Sequence, residues 1–260
     1  MNKTKLALSI LLLFPLSGFA QTTQEKGLEI VMEADKRDTG WGDVKTSAVM
    51  TLRNAHGESS VRENRNKILE VNGDGDKSLI IFDTPADIKG TAFLSHTHAI
   101  KSDDQWLYLP SLKRIKRVSS SNKSGPFLGS EFAYEDLSSQ EVEKYTYNYI
   151  KDEVTEGRDT FVIERFPQYK KSGYKRQIVW MDKEYYQPLK IAFYDRKNAA
   201  LKTLTFHEYK QYLGQYWRPG RMEMKNHQTK KETTLKWDKY EFQTGLKKRD
   251  FDKNSLKRAR

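Results

Sequence analysis

The sequence predicts an α+β protein in which an open, curved antiparallel β-barrel surrounds a hydrophobic cavity. Two patterns carry that expectation: one stretch near the start of the chain has helical spacing, and most of the remainder alternates with period two. A third observation concerns content. With 14 Tyr, 12 Phe and 5 Trp, the sheet has wide side chains for one face. Cross-strand packing accounts for most of them, and a sheet too wide to fill itself can hold an apolar ligand.

The helix is expected from Glu25 to about Lys36, with Leu28, Val31 and Met32 on a shared face and Asp35-Lys36-Arg37-Asp38 closing it before the Gly40-Trp41-Gly42 loop. Thr46, Ala48, Met50 and Leu52 then alternate with polar neighbours, and Asn54-Ala55-His56-Gly57 turns the chain into a strand over Ser59 to Val71. Asn72-Gly73-Asp74-Gly75 leads into Ser78 to Phe82, which Pro85 ends; short strands follow over Thr91 to Ser95 and Trp106 to Leu109. Further strands are expected over Tyr145 to Lys151, Thr160 to Phe166, Tyr174 to Met181, Leu189 to Tyr194, Lys202 to Tyr212, Tyr216 to Met224 and Thr233 to Phe242. Cavity-wall candidates are Met50, Leu52, Ile80, Phe82, Phe93, Trp106, Tyr108, Ile178 and Trp180, although a slip of one residue would reverse the face of any strand.

The first twenty residues read as a secretory signal peptide: basic Lys3 and Lys5, an apolar run from Leu6 to Leu16, and small Gly18 and Ala20 before Gln21. That run is shorter than the roughly 20 residues of a membrane-spanning helix. Residues 21–260 are then expected as one mature domain. The chain contains no cysteine, so neither a disulfide nor lipid attachment at a cysteine is available. Its formal charge is +11, falling to about +9 without Lys3 and Lys5. For an exported chain, anionic lipid headgroups or acidic polymers suit this charge better than nucleic acid.

Residues 110–137 break the hairpin rhythm. Lys113, Arg114, Lys116 and Arg117 place four cations in five positions, and a Gly/Pro/aromatic stretch from Gly125 to Tyr134 follows. Such a segment suits a lid or binding loop: cations for phosphates, and Phe127, Leu128 and Phe132 to cover an acyl chain. Gly90, Gly125 and Gly129 are candidate hinges. The bland alternative is a solubilised loop whose aromatics plug the end of the sheet.

Three stretches, Phe82 to Leu94, Asp103 to Arg117 and Gly125 to Leu137, closely resemble the bacterial outer membrane lipoprotein-sorting proteins. The likeness extends through Val179 to Lys183 and Pro188 to Lys190 and covers essentially the whole mature chain. The resemblance implies an open, strongly curved antiparallel β-barrel with helices and loops covering a concave apolar face, similar in fold to the periplasmic lipoprotein carrier and its outer-membrane receptor. It also implies a non-enzymatic periplasmic protein of a Gram-negative bacterium that shields acyl chains of a lipoprotein or lipid. An inner-membrane transporter of the resistance-nodulation-division type and the anionic membrane surface are further partners it suggests. On this basis Phe82, Phe93, Trp106, Tyr108, Phe127, Leu128, Phe132 and Trp180 are lipid-binding or lid candidates, and Lys113, Arg114, Lys116 and Arg117 headgroup or partner contacts.

Enzymatic readings find little support. His96 and His98 on one strand could form half of a metal site, with Asp103 and Asp104 near by, but the spacing matches no known motif. No Gly-Xaa-Ser-Xaa-Gly elbow occurs, cysteine chemistry is impossible, and no cofactor is implied. An envelope protein binding a polyanion or glycan remains an alternative, as does a hydrolase with an unrecognised site. A glycan binder would expose its aromatic rings, whereas a lipid carrier would turn them into a cavity.

Overall fold

A computed structural model describes residues 21–119 and 121–258 of the 260-residue chain. The expected signal peptide lies outside the described residues. Helix α1 (Thr23–Arg37) starts at Thr22, whose hydroxyl accepts from the Glu25 amide at 3.1 Å while the Glu25 carboxylate accepts from the Thr22 amide at 2.8 Å. This reciprocal pairing satisfies two otherwise orphaned donors.

The strands are β1 (Asp43–Arg53), β2 (Ser59–Leu69), β3 (Lys77–Thr84), β4 (Ala92–His96), β5 (Asp104–Leu109), β6 (Arg114–Arg117), β7 (Tyr145–Thr155), β8 (Arg158–Pro167), β9 (Tyr174–Asp182), β10 (Pro188–Asp195), β11 (Ala200–His207), β12 (Lys210–Tyr212), β13 (Tyr216–Arg218), β14 (Arg221–Asn226) and β15 (Glu232–Phe242). Thirteen of them form one antiparallel sheet in the order β6-β5-β4-β3-β2-β1-β15-β14-β11-β10-β9-β8-β7, and β12 with β13 makes a separate ribbon. Two strands expected to be continuous are each divided. The first breaks at Glu208, which has a left-handed backbone, and the second at Pro219-Gly220.

The expected open, strongly curved barrel is corrected in its curvature. The sheet is open, its terminal strands β6 and β7 do not pair with each other, and it is neither closed into a barrel nor strongly curled. Period-two alternation specifies strands with two faces, but not how far the sheet they build curls toward a barrel. Here the chain leaves β6 and crosses the sheet face as a strap, residues 121–144, before returning as β7. The outer edge of β6 carries Arg114, Lys116 and Arg117, all exposed, and such charges discourage further strand pairing.

Both faces of the sheet are covered near β3 to β5. Ile80, Phe82 and Phe93 belong to the main core, while Leu79, Ile81, Ala92 and Leu94 pack against Phe251 and Leu256 of the C-terminal 3₁₀ turns. This explains the uninterrupted apolar run Leu79-Ile80-Ile81-Phe82, since a strand covered on both sides has no polar face.

Helix α1 buries a face shifted from the one expected, keeping only Val31 of the three residues named for it. Gly27 and Ile30 are buried and Val31 and Ala34 pack on the core, whereas Leu28 and Met32 are 41% and 56% exposed. The reason is Gly27: without a side chain it lets the helix backbone approach β7 so closely that a Cβ would stand 2.9 Å from the Tyr149 amide nitrogen. Lys26 lies over the Tyr149 ring at 3.6 Å and reinforces this docking. On an isolated helix Gly27→Ala would be stabilising by about 1 kcal/mol. Here it should be destabilising by about 1 to 2 kcal/mol, because the helix must move away from β7; a lower denaturant midpoint is the expected reading.

Candidate functional site

One face of the sheet and a cover made from α1 and the strap enclose a cavity of about 740 Å³. Met50, Ile80, Val179, Met181, Phe193 and Leu235 contribute to its floor, and Val31, Ala34, Phe127 and Phe132 to its cover. These side chains converge because alternate residues of neighbouring strands point to one face. The volume falls within the range of small-molecule sites. Many polar groups share the lining with the apolar ones, among them Thr46, Asn64 and the Arg165–Gln177 pair, in which Arg165 Nε donates to Gln177 Oε1 at 2.6 Å.

The strap is held by buried polar anchors. Lys202 donates to the Asp136 carboxylate at 2.7 Å and to the Glu131 carbonyl at 2.8 Å, and the Tyr174 hydroxyl donates to Asp136 at 2.8 Å. Glu135 accepts from Tyr169, Ser172 and the Gly173 amide at 2.8 to 2.9 Å. Asp103 pairs with Lys123 at 3.1 Å and with Lys144 at 2.6 Å. Arg62 of β2 reaches the Leu128 carbonyl at 2.7 Å.

These anchors decide where several sequence candidates lie. Phe127 and Phe132 line the cavity, and Phe82 and Phe93 sit behind Phe127 at ring separations of 5.9 and 5.2 Å. Leu128 packs on the same core. Trp106 and Tyr108 are on the other face with the C-terminal turns, because Gln105 and Leu107 occupy the core side of β5. Trp180 and Ile178 likewise stand outside the lining, which takes Gln177, Val179 and Met181 from β9. Trp180 instead lies beneath the Lys190 ammonium at 3.7 Å.

Lys113, Arg114, Lys116 and Arg117 are exposed at the edge of the sheet and do not line the cavity; Arg117 pairs with Asp104. Gly90 and Gly129 adopt positive φ, and Gly125 has close neighbours at Asn122. The polar wall residues Asn64 and Gln177 were not anticipated. Inward Gln177 keeps period two with Val179 and Met181, yet its polar side chain disguises that phase in the sequence.

Carboxylates gather where the cavity meets solvent. Asp35 and Asp38 at the end of α1, Glu70, Asp74 and Asp76 around the β2–β3 turn, and Glu141 and Glu143 at the end of the strap all contribute to the lining. Burial raises the Asp38 and Glu141 carboxyls above their ordinary values, with neighbouring carboxylates adding to it and the Arg218 pair opposing it at Asp38. Asp76 is pushed up to about 7 by burial, with further repulsion from Glu141, Glu70 and Asp38. An unfolded aspartate releases its proton near pH 4. The destabilisation from Asp76 is therefore full above about pH 7 and lost as pH falls below about 4. Asp76→Asn retains the oxygen that accepts from Val71. It should stabilise the fold by about 1 to 2 kcal/mol at pH 8, allowing for solvent at the mouth, and by less at pH 5; thermal unfolding at the two pH values measures this.

The histidines are placed apart. His96 Nε2 is 2.8 Å from the Phe251 carbonyl, whereas His98 Nδ1 is 2.8 Å from Asp74. Strand β4 ends at His96, so the two-residue alternation does not carry to His98. Among the described residues, no group of three or more histidine, cysteine, aspartate or glutamate side chains could hold a metal ion.

A protein-family profile described as "Uncharacterized protein" matches residues 74–258. No curated protein matches the chain. Among solved structures, an outer membrane lipoprotein-sorting protein domain from Vibrio parahaemolyticus is 61% identical, with a TM-score of 0.89 and coverage of 90% of this chain and 99% of that one. A DUF1329 family protein from Desulfovibrio piger is 27% identical over 91% of this chain and 100% of its own, with a TM-score of 0.86. A LolA superfamily protein from Nitrosomonas europaea shares the fold at 20% identity and a TM-score of 0.70, over 90% of this chain and 99% of that one. Identity of 61% across nine-tenths of its length, together with the same strand framework, means that this chain belongs to the family of outer membrane lipoprotein-sorting proteins.

Proposed function

We propose that the protein is a periplasmic carrier that shields acyl chains of a lipid or lipoprotein in the cavity between the sheet and its cover. The observation that carries this reading is the largely apolar cavity of about 740 Å³ floored by the sheet and covered by α1, Phe127 and Phe132. Membership in a lipoprotein-sorting family supports it. Each buried methylene contributes about 0.8 kcal/mol, so ten give roughly 8 kcal/mol before ordering costs. Capture is then easy and release needs a movement or a competing acceptor.

The strap anchors favour a fixed wall over residues 123–137, with Phe127 and Phe132 meeting the cargo. Opening is better sited at the mouth between the end of α1, the β2–β3 turn and residues 138–143, whose lining includes exposed Asp35, Asp74 and Glu143. Among the described residues, Lys113, Arg114 and Lys116 form no ion pair. Placed on a sheet edge away from the lining, they suit an anionic membrane face or an inner-membrane transporter of the resistance-nodulation-division type. Each cation near such a surface contributes about 1 kcal/mol and is screened within a Debye length.

Native mass spectrometry of protein purified without detergent should show a lipid adduct, or uptake of one from labelled phospholipid vesicles. Failure of both would overturn the carrier reading. Replacing Lys113, Arg114, Lys116 and Arg117 together with Gln should weaken binding to anionic vesicles at least tenfold and flatten its salt dependence, with unchanged thermal stability. Unaltered vesicle binding at low and high salt would return these residues to the role of edge protection.

A further inference from the structure

We propose that Asn64 recognises a neutral hydrogen-bonding group, a hydroxyl or a carbonyl, on the otherwise apolar chain of the cargo; this deepens the acyl-carrier reading and rests on it. Asn64 lies in β2 between Ala48 of β1 and Phe82 of β3 in the strand register. It is only 4% exposed and contributes to the cavity lining. Its neighbour Asn66 donates to the Thr46 hydroxyl at 3.3 Å, but among the described residues the Asn64 side-chain amide has no hydrogen-bond partner. Gln105 Oε1 is the one fully enclosed side-chain nitrogen or oxygen without a partner among those residues. The Asn64 amide is therefore not sealed in packed protein, and it opens on the cavity.

An unpaired buried amide is destabilising, and an apolar residue of similar volume would remove the penalty. Asn64 supplies both a donor and an acceptor without charge, which suits a hydroxyl, ester or amide better than a phosphate or carboxylate. Small Ala48 opposite leaves room beside it. Glu70 at the mouth lies six residues further along the chain, roughly 20 Å at strand spacing. The group recognised is thus well inside the enclosed chain, remote from anything held at the mouth.

The test uses protein freed of co-purified lipid and displacement of a fluorescent fatty acid by stearic acid and by hydroxystearic acids with the hydroxyl at successive positions. For the wild type, at least one positional isomer should bind about fivefold more tightly than stearic acid. Asn64→Leu should abolish that preference, retain stearic acid binding and have an equal or higher melting temperature. Asn64→Ser should keep part of the preference, and Asn64→Ala replaces the leucine variant if that one does not fold. Equal binding of every isomer and stearic acid by the wild type would overturn the proposal, leaving the amide to hold water only. Persistence of the preference in Asn64→Leu would overturn it as well. Absence of any fatty-acid binding by the wild type would remove the carrier reading itself, a result distinguishable from the other two.

Discussion

The buried polar anchoring of the strap is the interaction on which the rest of this structure depends. The chain must pass from β6 at one edge of the sheet to β7 at the other, and residues 121–144 lie over the sheet face. Asp136 and Glu131 meet Lys202 of β11, Glu135 meets the loop before β9, and the Leu128 carbonyl meets Arg62 of β2. The strap is therefore tied to both halves of the sheet. Buried ion pairs add little net stability when compared with apolar packing, but they are directional. Here that directionality fixes Phe127 and Phe132 at defined positions over the floor.

This arrangement accounts for a cavity within an otherwise well-packed protein. Apolar surfaces facing one another favour collapse, and a cover held by apolar contacts alone would settle onto the sheet. Hydrogen-bonded anchors hold the strap at a set position, while Gly27 sets the approach of α1 to β7. The space left between them is lined mainly by side chains from strands distant in sequence, including Met50, Val179 and Leu235.

Charge is divided between two places that the net value conceals. Cations stand on the outer edge of β6, away from the cavity, and carboxylates surround its mouth. The formal +11 of the chain therefore describes the surface as a whole and says little about what approaches the opening. Burial, with repulsion from Glu141, Glu70 and Asp38, raises the Asp76 carboxyl, so its charge at the mouth is held at a cost to stability.

Most strand positions, helix α1 and the family were legible in the sequence because alternation, turn residues and long motifs are local patterns, whereas β6, with three cations in four residues, was not. Facing was less legible. Trp106 and Tyr108 look like cavity residues until the C-terminal turns bring Phe251 and Leu256 to their side of the sheet, and inward Gln105 and Gln177 reverse the apparent phase of β5 and β9. The absence of strong curl in the sheet, the route of the strap and the convergence of Asn64 and the mouth carboxylates on one cavity were decided only by tertiary structure. They depend on pairings such as β1 with β15 and on contacts between residues far apart in the chain, and alternation carries no information about which strands meet or whether the last returns to the first.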